Sequence, residues 1–387
     1  MNTKFLLLAW LILPASIFAQ GPLTPPAAPA PTMKTLDQVE PRKPINATNT
    51  PGDATNVFII TASGSYYLTS NVTGVSGKNG ISVAARNVTI DLNGFSLNGA
   101  PGSLDGVHAE TGSSGLTVRN GTIAKWGGDG VDEVDGASSD GIYQNVHATG
   151  NSGDGLRLEE RCVATACKVD RNSGVGLSVD GPATIKDCTA GDNGLNGFLF
   201  GAGSILNSVA YSNGDTGIES FAEPVLIKDC VAFENGDAGI QSGGGGKIAD
   251  CISRDNSFAG IDAGYYTTIT NCTVKNNPLG IFAGGSCRIV GNLGEGNGDG
   301  VSIYDDRNVI DGNQLINGGN GIKIFAGSTG NLIIQNTVGN NTLNYDISAD
   351  NRFGPIVDIT AAGTPAVSGN TASDSTTTTH PWANFTY

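Results

Sequence analysis

The chain has 387 residues, with 36 acidic against 21 basic side chains and a net charge of −15, which argues against nucleic acid or an anionic membrane surface as partner. Charged residues are only 15% of the total, below the usual quarter, so a charge-rich disordered polymer is excluded as well. Glycine is the anomaly: 57 residues, about twice the usual share, imply a backbone that turns sharply and often.

The first twenty residues, MNTKFLLLAWLILPASIFAQ, carry Lys4, an apolar run from Phe5 to Leu13 and small residues up to Ala19. This pattern predicts a secretory signal over residues 1–19, too short and too soon broken by Pro14 to anchor the chain in a membrane. A spacer is expected over 20–33, where five prolines fall between Pro22 and Pro31. Residues 34–79 are predicted to hold a cap and the first strands, with VFIITASGSYYLTSNV at 57–72 covering an open sheet end.

From residue 80 to 350 the chain repeats. Glycines that precede an apolar residue run from Gly80, Gly106 and Gly130 to Gly300 and Gly321 at intervals of 20 to 26 residues. A second column has the same period: Asn93, Gly121, Asn145, Cys167, Cys188, Ser208, Cys230, Cys251, Cys272, Asn292, Asn313 and Asn336. Three residues before most of these stands an isoleucine, such as Ile185, Ile227 or Ile269. Each repeat holds only short alternating apolar runs broken by Gly, Asn and Asp, and none has helical spacing. The pattern predicts an all-β, single-stranded right-handed parallel β-helix, a solenoid of about 12–13 coils with an interior ladder of Asn and Cys. Leucine-rich repeats share the period, but their L-x-x-L-x-L spine is missing. Residues 351–387 are expected to form the second cap and a tail, with DISADNRFGPIVDI near 346–359 at the end of the stack and Trp382, Phe385 and Tyr387 clasping it.

The repeat G-I/V…I-x-D/N-C/N-x-A/V-x-x-N resembles the right-handed parallel β-helix of the pectate-lyase-like superfamily, and the stretch from GSYYLTSNV to GSLDGV resembles the N-terminal part of a group of secreted bacterial β-helix proteins. The resemblance implies a fold and an extracellular or cell-surface location; it implies no settled activity. The N-T-D, G-H-G and R-I-K segments of polygalacturonases and the W-x-D-H segment of pectate lyases are absent.

Cysteines one rung apart have Cβ atoms near the strand spacing of about 4.8 Å, too far for a disulfide, so the thiols are expected to pack the core. No metal is expected in that column, because a line of like ligands is not a tetrahedron. No cofactor is expected; calcium is compatible with YDDR at Tyr304–Arg307 but not indicated, since a turn explains the same residues. His147 shares its apparent column with Ile123 and Val169 and is predicted to point inward.

Two columns should face out, two and four residues after each marker glycine. Their richest patch is His108, Glu110, Asp132, Arg157, Glu159 and Asp180, which joins a proton carrier, a cation and several carboxylates on neighbouring rungs. These are the carbohydrate-binding candidates, with catalytic residues left unassigned. The expected partner is a polysaccharide or cell-surface glycan lying along an outward sheet face; the alternative is a polysaccharide lyase or glycoside hydrolase.

Overall fold

In the turn from Ile240 to Asn256 the chain runs straight over Ile240–Gly244 and Lys247–Ala249, bends at Asp250, runs again over Ile252–Arg254 and bends at Asp255. Both bends are left-handed, with φ of 56°, a conformation that Asp and Asn accept more readily than other side chains. The next turn lies directly over this one: Ile240 pairs with Ile261, Ile248 with Ile269 and Ser253 with Val274, each 21 residues apart and all parallel.

Repetition of this unit stacks one strand per turn into a 15-stranded parallel sheet and the others into a second sheet of 28 strands. The computed structural model describes residues 40–133, 140–358, 367–369 and 380–386, among which there is no helix. The expected signal and proline spacer lie outside the described residues, as does Tyr387. The fold is therefore the parallel β-solenoid that the period predicts, with about 15 turns rather than 12 or 13. The additional rungs are Asn56–Ile60, Leu343–Ile347 and Val367–Gly369, which lie beyond the marker glycines. These rungs fall at the two ends of the stack, the first of them within the segment expected to hold a cap and the first strands. At the first turn, Lys43–Pro44 pairs with Tyr66–Tyr67, and Pro51 bridges Phe58 in antiparallel fashion.

The marker glycines have a steric cause. An asparagine from the next turn lies where a Cβ would be: Asn172 Nδ2 is 2.7 Å from that position at Gly155, and Asn193 Nδ2 is 2.7 Å from it at Gly176. These asparagines form the longest interior ladder, Asn151, Asn172, Asn193, Asn213, Asn235, Asn256, Asn277 and Asn297. From Asn172 on, each Oδ1 accepts both the backbone N–H and the side-chain amide of the residue one rung before, as Asn213 does from Asn193 at 3.2 and 2.9 Å, while Asn151 Oδ1 accepts the Trp126 backbone N–H. Buried amides are thus fully paired. The repeat N that ends the sequence motif is this ladder.

The second column continues the theme differently. Cys272 N–H donates to Asn292 Oδ1 at 2.8 Å, and Asn292, Asn313, Asn336 and Asn384 follow as amides. A further ladder joins Cys287, Asn308, Asn331 and Asn351. All seven cysteines are free and buried. Burial pushes the Cys162 and Cys287 thiols up.

Two early members of the cysteine column are corrected. Val146, not Asn145, stands in register with Gly121; Asn145 is the left-handed residue just before it, with φ of 53°. Asn93 is exposed, and Leu92 fills the interior against Gly121, where a Cβ would lie 2.4 Å from the Leu92 Cβ. The same one-residue slip reverses His147: Ala148 pairs with Ile123 and Val169, while His147 pairs with Thr122 and Lys168 and points outward. Its Nε2 lies 2.5 Å from Asp170 Oδ1. Although burial pushes the Asp170 carboxyl up, His147, Thr149 and Lys168 hold it below its ordinary value.

At the far end Asn384–Thr386 pairs with Thr337–Val338 and with Ile356–Asp358. The anchor of this strand is the buried Asn384, whose Oδ1 closes the ladder above Asn336; the rings of Trp382 and Phe385 remain about half exposed.

Candidate functional site

The outward column of the 15-stranded sheet is a single line in register. Ser82 pairs with His108, His108 with Asp132, Asp132 with Arg157 and Arg157 with Ser178, and the line continues through Glu219, Asp262 and Phe282 to Ser302 and Lys323. In-register stacking on a parallel sheet sets equivalent side chains about 4.8 Å apart, so charged neighbours on this line interact directly.

His108 Nδ1 lies 3.2 Å from Asp132 Oδ2 and 3.4 Å from Asp105 Oδ2, at angles short of a directed hydrogen bond to either. The polar contact of the ring with the two carboxylates, Asp105 first and then Asp132, and to a smaller extent their charge, push the imidazole up to about 10 against the opposing effect of its partial burial. Asp132 also pairs with Arg157, whose Nη1 is 3.4 Å from Oδ1. The structure therefore brings His108, Asp132 and Arg157 together.

The other three candidates stand apart from that row. Glu110 Oε1 accepts a hydrogen bond from Ser82 Oγ at 2.8 Å. The Glu159 backbone N–H donates to Glu133 Oε2 at 2.7 Å, while Glu133, buried, also accepts from the Tyr143 hydroxyl. Asp180 is exposed, and its backbone N–H donates to Leu158 O at 3.2 Å.

Beneath the row lies an acid spine that the outward columns do not contain. Asp105, Asp129 and Asp154 each stand one residue before a marker glycine, and each Oδ1 accepts the backbone N–H of the turn above, at 2.8, 2.6 and 2.7 Å. Burial, then the charges of Asp154, Asp105 and Asp132, push Asp129 up to about 7; burial also raises Asp154. Reading the column just before the marker glycine, with Asn79, Asp105, Asp129 and Asp154 in line, would have found it.

The ligand atoms of Asp105, His108 and Asp132 lie within 4.8 Å of one another. A metal ion there would have to displace the proton that the two carboxylates favour on the ring. A raised His108 is also fitted to donate a proton rather than abstract one.

Farther along the face the column turns aromatic. Phe258 and Phe282 meet edge to face with centroids 5.9 Å apart, and Phe282 and Tyr304 lie 4.5 Å apart at 30°. Beside them Asp262 is pushed up to about 6 by burial and then by Asp237 and Glu219, and burial raises Glu219 and Asp237 too.

The family model described as "Right handed beta helix region" matches residues 49–181, 105–258 and 225–372. Among solved structures, the A-module of mannuronan C-5 epimerase AlgE4 from Azotobacter vinelandii is 18% identical, with a TM-score of 0.50 over 75% of this chain and 90% of that one. The A-module of AlgE6 from the same organism is 16% identical, with a TM-score of 0.51 over 80% of this chain and 92% of that one. No curated protein matches the sequence. These two structural likenesses concern the fold alone. The family matches together run from residue 49 to 372 over the observed parallel ladder, and the chain belongs to the right-handed β-helix family.

Proposed function

We propose that the protein is exported and binds polysaccharide along the outward face of its 15-stranded sheet, with the row around His108, Asp132 and Arg157 as one contact region and Glu110, Glu159 and Asp180 at its margin. The observation that carries this reading is the unbroken register from Ser82 to Lys323, which repeats outward side chains, mostly polar but with Leu199 and Phe282 among them, at a constant interval and so matches a polymer of repeating units better than a single small molecule. The leader-like first 19 residues support export. The two solved modules named above are mannuronan epimerases, so analogy of fold supports a polysaccharide partner, as a weaker warrant.

A lyase or hydrolase is the second reading, favoured by Asp129, whose carboxyl, pushed up to about 7, has the acid strength that proton transfer requires. Incubation of the full chain with acidic and neutral polysaccharides separates the two. Retention without new reducing ends or unsaturated-product absorbance supports binding. Turnover abolished in Arg157→Ala and Glu159→Ala supports the enzyme, and a panel with neither retention nor turnover defeats both.

A further inference from the structure

Phe258, Phe282 and Tyr304 cross the outward face diagonally and touch in sequence, and none is covered: Phe258 is 37% and Tyr304 40% exposed, with Phe282 half-buried between them. Outward rings are costly to expose when they serve only the fold, because the interior is already filled by Ile261, Ala263, Ile281, Ala283, Val301 and Ile303 from the same strands. Gly264 and Gly284 lie next to the shelf and leave its flank without side chains; a Cβ at Gly284 would lie 3.1 Å from the Tyr304 hydroxyl. The result is an outward aromatic shelf flanked by glycine, with the Tyr304 ring lying over Gly284.

The charge around the shelf selects its occupant. Beyond the effect of burial, Asp237 and Glu219 raise Asp262, and Asp215 and Asp237 raise Glu219. The nearest cation of the column, Lys323, is engaged by Asp299 at 3.4 Å. At the other end of the face Arg157 and His108 are likewise held by carboxylates. A polyuronate laid here would meet like charge, whereas an uncharged pyranose offers C–H faces to the rings and hydroxyl donors to the carboxylates.

We infer that Phe258, Phe282 and Tyr304 form a stacking site for an uncharged glycan, with Asp262 and Glu219 accepting hydrogen bonds from its hydroxyl groups. This rests on the proposed polysaccharide-binding function and names the substrate class. Aromatic shelves supply large contact area at low entropic cost, and removal of one ring typically weakens binding by about tenfold.

The test is calorimetric titration of the full chain with cellohexaose, mannohexaose and xylohexaose, and in parallel with hexagalacturonate and hexamannuronate. One neutral oligosaccharide is expected to bind, and Tyr304→Ala and Phe282→Leu are each expected to weaken it by about tenfold with the thermal midpoint unchanged. Phe282→Leu keeps apolar volume and removes the ring face, so its effect isolates stacking from folding. Binding of the uronates alone, neutral binding indifferent to both substitutions, or rings that instead join two copies, seen as a dimer lost in Tyr304→Ala by sedimentation, would overturn the inference and leave a polysaccharide function standing in the first two cases. Silence toward every oligosaccharide and toward the long polymers would overturn the function itself.

Discussion

One interior column is filled in two ways along its length. From Cys167 to Cys272 it holds thiols and the hydroxyl of Ser208; from Asn292 to Asn384 the same column holds amides. In the thiol stretch each sulfur rests near a carbonyl of its own turn and farther from one of the turn before, as Cys230 Sγ does 3.2 Å from Lys228 O and 3.6 Å from Ile205 O; these sulfur contacts are weak, and rungs are joined chiefly through packing. In the amide stretch each side chain joins three rungs: Asn313 accepts two bonds from Asn292 and donates to Ile289 O and Asn336 Oδ1, all at 2.9 Å. The first stretch is stabilised by volume and the second by mutual satisfaction, so the two should fail differently.

The largest difference is expected at the centre of the amide stretch. Asn313→Ala strands two buried donors of Asn292 and should cost about 4 kcal/mol, read from the urea unfolding midpoint. An exchange across the junction tests the asymmetry. Asn292→Cys should cost about 2 kcal/mol, because Cys272 and Asn313 lose a partner, while Cys272→Asn should stay within about 1 kcal/mol, because Asn292 Oδ1 already faces it.

Cys230→Ala should cost about 1 kcal/mol, the loss of one small buried group, and Cys230→Ser less, since Ser208 already fills that column with its Oγ bonded to Leu206 O. Equal losses in Cys230→Ala and Asn313→Ala would end the distinction. A thiol reagent sharpens it: none of the seven cysteines should react in the native chain and all seven in denaturant, whereas a native disulfide would lower the second count.

The smallest effect lies on the surface. Because the folded His108 is raised to about 10 from an ordinary value of 6.5, its ion pairs stabilise the fold fully below pH 6.5, and that contribution is lost as the pH rises through 10. The unfolding midpoints of wild type and His108→Gln should therefore differ at pH 6 and converge near pH 10.5. A His108 ring found neutral at pH 7.5 by NMR would remove the effect.

Much of this was legible in the chain. Marker glycines, the isoleucines three residues before the Cys/Asn column, and the outward line from Ser82 to Lys323 all stand in register as their spacing predicts. The errors fall where the interval departs from 21. Asn145 and His147 stand one residue from the places their spacing predicts because the turn before them is longer, and a one-residue slip on a strand exchanges inside for outside. The acid spine is visible as a column one residue before the marker glycines, but that each of its carboxylates turns back to bond the next rung is decided by the bend and not by residue type.

By itself the sequence determined the winding and its interior, since every turn must solve the same steric problem with the same residue types: glycine where an amide presses in, Asn or Asp where the chain bends left, Ile beneath. Only the tertiary structure decided which outward groups meet. His147 reaches Asp170 and Phe258 reaches Phe282 across different turns, and such meetings depend on the bend angles and rung lengths that stacking imposes, which no column of residue types contains.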